Sequence, residues 1–311
     1  SYKEGLFLSH HCYRHPSYFY QMTFRSGFVN IIGSPNVGKS TLMNKLLGQK
    51  LVITNPKAQT TRHRVLGIVN GEDHQIVFSD TPGIMEPGYK LHESMMGYVE
   101  EALDDADVLL FIADSGKNKI PEKFLEKLKA TDTPLLVLIN KMDLHKPDKL
   151  EAIINKWHEI LPKAKIAPMS ALHGFNTDLV LEEIVKYLPE GPAYYDTETL
   201  TNKNVRFFVG EIIRDKILEH FKEEVPYSCE VEISEYQEGD DLDKIYAYIY
   251  VARDSQKSIL IGKDGRAMKR MGTDARRSIE QFVGKKVYLD LRVKVRTNWR
   301  DNPEQLKRFG Y

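Results

Sequence analysis

From Gly27 onward the chain alternates short apolar runs with segments whose apolar residues recur every three to four positions. The runs are 28–33 (FVNIIG), 65–70 (VLGIVN), 75–80 (QIVFSD), 108–114 (VLLFIAD), 134–141 (PLLVLINK) and 165–171 (KIAPMSA). Near-continuous Val, Ile and Leu is the composition of strands buried on both faces. Between them lie KSTLMNKLLG, ESMMGYVEEALDDA, PEKFLEKLKA, KLEAIINKWHEIL and DLVLEEIVKYL, each with a helical period. Strand–helix alternation predicts an α/β domain with a doubly wound, mostly parallel sheet. Ligands of such sheets sit at the carboxyl ends of the strands.

The pattern breaks at 188–204 (LPEGPAYYDTETLTNKN), where Pro, Gly and small polar residues predict a linker over 189–204. Beyond it the order changes to one helix, two alternating strands (CEVEISEYQ and KIYAYIYVAR), a helix–turn–helix and a closing strand (KKVYLDLRVKVR). This predicts a smaller α+β domain over 205–311, following a first domain over 26–188. Residues 1–25 fit neither and are read as a disordered or non-native extension, because Met22 directly precedes the first orderly segment. The spacing of His10, His11, Cys12 and His15 matches no common zinc pattern.

Composition changes this picture in one respect. The 311 residues have zero formal net charge, which by itself argues against a nucleic-acid partner. However, residues 201–250 hold 6 Lys/Arg against 12 Asp/Glu, whereas residues 251–311 hold 16 against 7. A basic final segment is the footprint of a phosphate-backbone binder. Two cysteines, Cys12 and Cys229, cannot build a disulfide framework and suit a reducing compartment. No run of eighteen apolar residues predicts a membrane span.

Candidate chemistry gathers at the strand ends. Gly33, Ser34, Pro35, Asn36, Val37, Gly38, Lys39 and Ser40 fit G-x-x-x-x-G-K-S between a buried strand and a helix that continues with Thr41. Backbone N–H groups and the helix start cradle phosphates there. Lys39 neutralises the β- and γ-phosphates and Ser40 ligates Mg2+. A second strand ends in Asp80, Thr81, Pro82 and Gly83, where the carboxylate can hold the metal through water and the Gly83 N–H can meet the γ-phosphate. The third site is Asn140, Lys141 and Asp143. Asp143 can accept from guanine N1–H and the exocyclic amine, which adenine cannot offer. Asn140 positions the loop, the Lys141 stem lies against the ring, and Ser170-Ala171 brings an N–H toward guanine O6. The expected ligands are GTP and GDP.

The second domain contains Gly262-Lys263-Asp264-Gly265, a G-x-x-G turn before a basic helix. Glycines permit close approach to sugar-phosphate, with Ile259 and Ile261 as an apolar floor and Lys263, Arg266, Lys269 and Arg270 for phosphates. Asp264 adds a repulsive charge. The motif supports single-stranded RNA in general and assigns no readout residue.

Together, NVGKSTLMNKLLGQK, KAQTTRHR, DTPG, NKMD and SA resemble the Era family of ribosome-assembly GTPases, from about Gly27 onward. The resemblance implies a P-loop GTPase domain followed by a type II KH domain, and slow GTP hydrolysis. It implies binding of the 16S rRNA 3′ end and a role in small ribosomal subunit assembly. It places the protein in the cytoplasm with peripheral membrane contact, and a monomer is expected. Thr61 aligns with the switch threonine that meets Mg2+ in the GTP state, with Thr60 as the competing candidate, in a loop over 52–63. Ile84 stands where Ras-like proteins carry a water-orienting glutamine. Asn36 occupies the position that helps bind K+ in related GTPases, so Lys39, Thr61, Gly83 and Asn36 form the expected catalytic set. Arg62 and Arg64 are open to two roles, an internal arginine finger or switch-loop surface residues facing RNA or the second domain. Two other functions stay open: a constitutive RNA-binding module with GTP as structural ligand, and a GTPase regulating a protein or membrane partner.

Overall fold

The computed structural model describes residues 23–113 and 120–311. The His10/His11/Cys12/His15 cluster, the extension up to residue 22 and Asp114 at the end of the fourth predicted strand lie outside the described residues.

The first domain is a six-stranded sheet of β1 (Arg25–Gly33), β2 (Val65–Asn70), β3 (His74–Asp80), β4 (Val108–Ala113), β5 (Leu135–Ile139) and β6 (Lys165–Pro168). Their spatial order is β2-β3-β1-β4-β5-β6, with only the β2–β3 pair antiparallel. Helices α1 (Lys39–Leu46), α2 (Lys90–Asp104), α3 (Glu122–Ala130) and α4 (Pro147–Ile160) connect the strands, and α5 (Thr177–Tyr187) follows β6. Alternate strand residues enter opposite cores. Val29, Ile31, Phe78, Leu110 and Leu138 pack on one side, and Ile32, Leu109, Phe111, Val137 and Ile139 on the other. Burial on both faces accounts for the unbroken apolar runs.

Two strands end earlier than their apolar pattern. β5 stops at Ile139 because Lys141 takes a left-handed conformation (φ 61°). β6 stops at Pro168 because Ser170 turns back to pair with Phe175. Asn140, Lys141, Ser170 and Ala171 therefore sit in the loops beyond the two strands, at the carboxyl edge of the sheet.

The crossing segment 189–204 is held along the sheet. Ser26 N–H donates to Pro189 O (3.1 Å) and Gly191 N–H to Phe24 O (3.1 Å). Gln75 Oε1 accepts from the N–H groups of Tyr194 and Tyr195 (2.7 and 3.0 Å). Ile68 N–H donates to Leu200 O (2.9 Å) and Leu66 N–H to Asn202 Oδ1 (3.1 Å), so the segment borders the outer strand β2.

The second domain runs α6 (Val205–His220), β7 (Glu230–Gln237), β8 (Leu242–Val251), α7 (Asp254–Ile261), α8 (Arg266–Val283) and β9 (Lys286–Val295). Asn204 starts α6 by accepting from Phe207 N–H at 3.0 Å. The sheet order is β7-β8-β9, with β7–β8 antiparallel and β8–β9 parallel. A parallel pair requires a crossover, which α7 and α8 supply. Helices cover one face only, closing a core of Ile213, Ile217, Ile245, Ile249, Leu260, Met271 and Ile279. A final helix, α9 (Pro303–Arg308), leaves this domain. Trp299 and Leu306 are buried in the first domain's core beside Leu91 and Met95, while Trp299 Nε1–H donates to Ser228 O (3.0 Å) in the second.

Candidate functional site: a phosphate pocket wired to a second domain

The loop after β1 ends in Gly38 at φ 102°, immediately before α1. A Cβ there would lie 2.3 Å from Asn140 Nδ2. Glycine is required on both counts, and it brings the phosphate loop against the loop after β5. Lys39 is buried, and its ammonium donates to Gly33 O (3.1 Å) and Ser34 O (2.9 Å), spanning the loop it serves. Burial brings the Lys39 ammonium down to about 8, with Asp80 opposing. An anion in the loop would relieve that cost.

Three oxygens converge at the foot of the pocket. Ser40 Oγ donates to Asp80 Oδ2 (2.6 Å), Thr61 Oγ1 donates to the same oxygen (3.1 Å), and the two hydroxyls lie 3.0 Å apart. The other carboxylate oxygen, Asp80 Oδ1, is buried with no hydrogen-bond partner, and burial pushes the Asp80 carboxyl up. An all-oxygen set with an orphaned buried carboxylate atom fits a hard divalent cation such as Mg2+. Thr60 points elsewhere: its hydroxyl donates to Lys57 O (2.6 Å) and Asn55 O (3.2 Å) within its own loop. Of the two adjacent threonines, only Thr61 faces Asp80.

Beyond Asp80, Thr81 Oγ1 donates to Ile31 O (2.7 Å) and Ile84 N–H to Gly33 O (3.0 Å), which ties the loop holding Pro82 and Gly83 to β1. Ile84 is 2% exposed, and its side chain packs in the core and not into the pocket. Gln59 does line it, from a left-handed residue (φ 56°), together with Pro35, Asn36, Thr41 and Gly83. The pocket measures about 530 Å³, within the range of small-molecule sites.

At its far end Asn140 links three loops. Its Nδ2–H donates to Val37 O (2.7 Å), and its Oδ1 accepts from Ala171 N–H (2.9 Å). Sequence reasoning aimed that Ala171 N–H at a base oxygen; here it holds Asn140 in place. Hydrogen bonding from Ser170 lowers the Asp143 carboxyl, which keeps it an acceptor. Lys141 Nζ donates to Asn36 O (2.8 Å). Leu144 and Leu172, which periodicity left unmarked, are exposed apolar walls flanking Asp143.

The loop 52–63 forms a second surface on which the two domains meet, besides the one around Trp299 and Leu306. Asn55 Nδ2–H donates to Asp215 Oδ1 (3.0 Å), and Lys57 Nζ donates to Leu218 O and to Phe221 O (2.6 Å) at the end of α6. Arg214 of α6 donates to Gln59 O (3.0 Å) and to Thr60 O. Arg62 is buried and donates to Cys229 O (2.7 Å), Tyr227 O (3.1 Å) and Glu230 Oε2 (3.1 Å). His63 stacks on Tyr311 at 4.2 Å, while Tyr311 Oη–H donates to Glu230 Oε2 (2.7 Å).

These contacts decide between the two roles left open for the arginines: Arg62 meets the second domain, and Arg64 meets neither the pocket nor that domain. Arg62 differs from the expectation only in being buried, because backbone carbonyls of the second domain surround its guanidinium. Arg64 turns away from the phosphate pocket to Asp105 (2.6 Å) and Ser79 Oγ (2.6 Å), so neither is placed as a finger.

In the second domain α7 ends at Gly262 (φ 72°), where a Cβ would fall 2.6 Å from Ala267 Cβ. The turn 262–265 then leads directly into α8. Ile259 is 50% exposed and Ile261 half-buried, while Leu260 between them is in the core. Lys263, Arg266, Lys269 and Arg270 surround the turn, at or near the surface. Asp264 pairs with Arg266 (3.0 Å), which offsets the repulsion its charge was expected to bring.

Two family models match the chain: one described as 50S ribosome-binding GTPase, over residues 28–141, and one described as KH domain, over residues 224–300. Among solved structures, the chain is similar to Era in complex with MgGDPNP and nucleotides 1506–1542 of 16S ribosomal RNA. The identity is 41%, 93% of this chain and 99% of that chain are covered, and the TM-score is 0.88. A single-residue variant of Aquifex aeolicus Era bound to GDP·AlF4− gives the same 41% identity, 93% and 99% coverage and TM-score of 0.88.

Proposed function

The chain belongs to the Era family of GTPases, and from that premise we propose that it is a switch whose GTP state grips single-stranded 16S rRNA during small-subunit assembly. It hydrolyses GTP as its family does, and its KH domain provides the RNA groove. The observation that carries the switch reading is a three-residue run. Thr61 faces Ser40 and Asp80, while the carbonyls of Gln59 and Thr60 next to it are held by Arg214 of the second domain. A loop that meets the nucleotide's metal on one side and α6 on the other passes any change at the γ-phosphate to the RNA-binding domain.

The residue roles follow from the same geometry. Gly33 through Thr41 hold the phosphates, Lys39 supplies charge, and Ser40, Thr61 and Asp80 would hold Mg2+. When bound, the ion neutralises developing charge between the β- and γ-phosphates. Gly83 offers an N–H to the γ-phosphate. Asp143 and Lys141 select guanine, with Ser170 orienting Asp143, Ala171 holding Asn140, and Leu144 and Leu172 beside the ring. Asn36 lines the pocket and is assigned to K+, in place of an arginine finger. Ile259, Ile261, Gly262, Lys263, Gly265, Arg266, Lys269 and Arg270 form the RNA groove. Domain limits of 26–188 and 205–311, with 189–204 between them, fit this division of labour. Among the described residues no helix is long and apolar enough to cross a membrane. A cytoplasmic location and peripheral membrane contact rest on the family resemblance.

Affinity for a 16S 3′-end RNA, measured with a nonhydrolysable GTP analogue and with GDP, tests the switch. Tighter binding in the GTP state is expected, and Arg214→Ala should erase the difference. Identical affinities in the unaltered protein would overturn the switch and favour a constitutive RNA-binding module.

A further inference from the structure

The three helices of the KH domain cover one face of its sheet and leave the other for solvent. On that outer face β8 presents Tyr246, Tyr248 and Tyr250, while β9 presents Lys286, Tyr288, Asp290, Arg292 and Lys294, followed by Arg296 just past its end. Alternation requires this. Ile245, Ala247, Ile249, Val287, Leu289 and Leu291 point inward to the core, so their neighbours point out. The result is a row of rings beside a row of cations.

The two ends of this face differ. At one end the carboxy-terminal segment lies on it, with Phe309 against Tyr250 (5.3 Å between centroids) and Arg296 over the same ring (4.6 Å). Tyr250 is buried as a result. At the other end Tyr288 is 49% exposed, Tyr246 lies 6.0 Å from it, and Lys294 Nζ sits 3.4 Å over the Tyr248 ring. The covered end thus shows what the face accepts: a planar ring flanked by a cation.

We propose that the open end, Tyr246, Tyr248 and Tyr288 with Lys244, Lys286, Arg292 and Lys294, is a second RNA surface that stacks bases of a single strand leaving the G-x-x-G groove. Stacking on sheet tyrosines tolerates any base, and the cations of β9 meet the phosphates. Apart from Asp290 on β9, the acidic groups of this face stand along β7, where Glu230, Glu232 and Glu235 lie opposite Tyr250, Tyr248 and Tyr246, on the far side of β8 from the cations of β9. Asp290 pairs with Arg292 (3.3 Å), Glu235 accepts from Gln237 (2.5 Å), and Glu232 is held by Tyr250 and Arg308. Continuity favours RNA over other occupants. β9 is an edge strand, and α7 and α8, joined by the 262–265 turn, pack across it. A strand clamped at the turn passes over that edge to reach the tyrosines. This inference rests on the groove being the primary RNA site.

The test compares two single-stranded RNAs of mixed sequence. One has about four nucleotides, the span a KH groove clamps; the other has about twelve, enough to continue beyond it. The double variant Tyr246→Ala/Tyr288→Ala should weaken the longer RNA by about tenfold or more and leave the shorter one unchanged. Tyr246→Phe/Tyr288→Phe should restore binding, since the ring remains and the fold is preserved. Lys286→Ala/Lys294→Ala should reduce the salt dependence for the longer RNA by about 0.7 in log–log slope for each phosphate no longer neutralised. Unchanged affinity for the longer RNA in a folded double variant overturns the proposal, including where the variant instead weakens binding to a protein or to a second copy. Gly262→Asp is the separate control: if it spares both RNAs, it is the groove assignment that fails.

Discussion

Arg62 and Glu230 meet at 3.1 Å across the two domains, with side chains only 1% and 7% exposed. One belongs to the loop that reaches the nucleotide, the other to the first strand of the KH sheet. Tyr311 donates to the same carboxylate. Removing one partner of a buried pair leaves the other charge without compensation, at a cost of about 3–5 kcal/mol. Glu230→Ala should therefore destabilise the protein by about that amount in chemical denaturation. It should also loosen the interdomain contact, giving a more extended solution scattering profile. A variant with unaltered scattering and stability would mean that the pair does not tie the domains.

The cation site gives a second expectation. Asp80→Asn keeps the shape but removes the charge that faces Ser40 and Thr61. Affinity for Mg2+ in the GTP-bound protein should fall by about 10- to 100-fold. GTP measured without the metal should bind nearly as before. Titrating Mg2+ against a fluorescent guanine nucleotide reads both.

Guanine selection turns on Asp143. In Asp143→Asn the amide can no longer accept from both guanine donors, and GTP affinity should fall by about 100- to 10,000-fold. Xanthosine triphosphate, which presents a carbonyl where guanine has its amine, should bind the variant better than GTP. Competition between the two nucleotides decides this, and retained preference for GTP would remove Asp143 from the base site.

With Ile84 buried and both nearby arginines committed elsewhere, the chain itself supplies little to offset charge on the γ-phosphate. Turnover in K+ should exceed turnover in Na+ by about tenfold or more, given the scale of such charge stabilisation. Asn36→Ala should make the two rates equal while leaving GTP affinity within a few-fold. Equal rates in the unaltered protein would end the potassium assignment.

His63 makes one part of the interface's stability depend on pH. Burial against Tyr311 and Phe207 brings its imidazole down to about 4, so it is neutral in the folded protein. An unfolded chain protonates its histidines near pH 6.5 and so binds a proton that the fold refuses. This contribution is present in full above about pH 6.5. It is lost as pH falls toward about 4, by up to about 3 kcal/mol. His63→Phe, which keeps a ring for the stack, should flatten this part of the profile. Denaturation curves for both proteins from about pH 7 to 4.5 give the comparison.

Much of the first domain was legible because its information is local. Apolar runs marked all six strands, and each motif stood at a strand end, so the positions of Lys39, Ser40, Asp80, Asn140 and Asp143 followed from spacing. The ambiguity between Thr60 and Thr61 was a matter of which hydroxyl faces Asp80, and adjacent residues of one type share every local signal. Arg214 and Tyr311 were invisible for another reason. Their partners, Thr60 and His63, lie far away in sequence, and nothing periodic links them. Arg62 sits in a polar stretch that reads as surface, yet carbonyls of the other domain bury it. Trp299 and Leu306 follow a KH strand but fill the other domain's core, a choice made by packing and not by pattern.

The staples along β2 set how the two halves can move. Leu200 and Asn202 are pinned to the sheet, and α6 begins at Val205, so the free leash is about two residues, roughly 7 Å when stretched. The carboxy-terminal end is a second attachment, with Trp299 and Leu306 in the first domain's core, so the KH domain is held at both ends of its chain. Release of the loop at residues 52–63 would leave the KH domain tied at these two points, so the RNA cleft could shift in tilt but not depart from the nucleotide-bearing sheet.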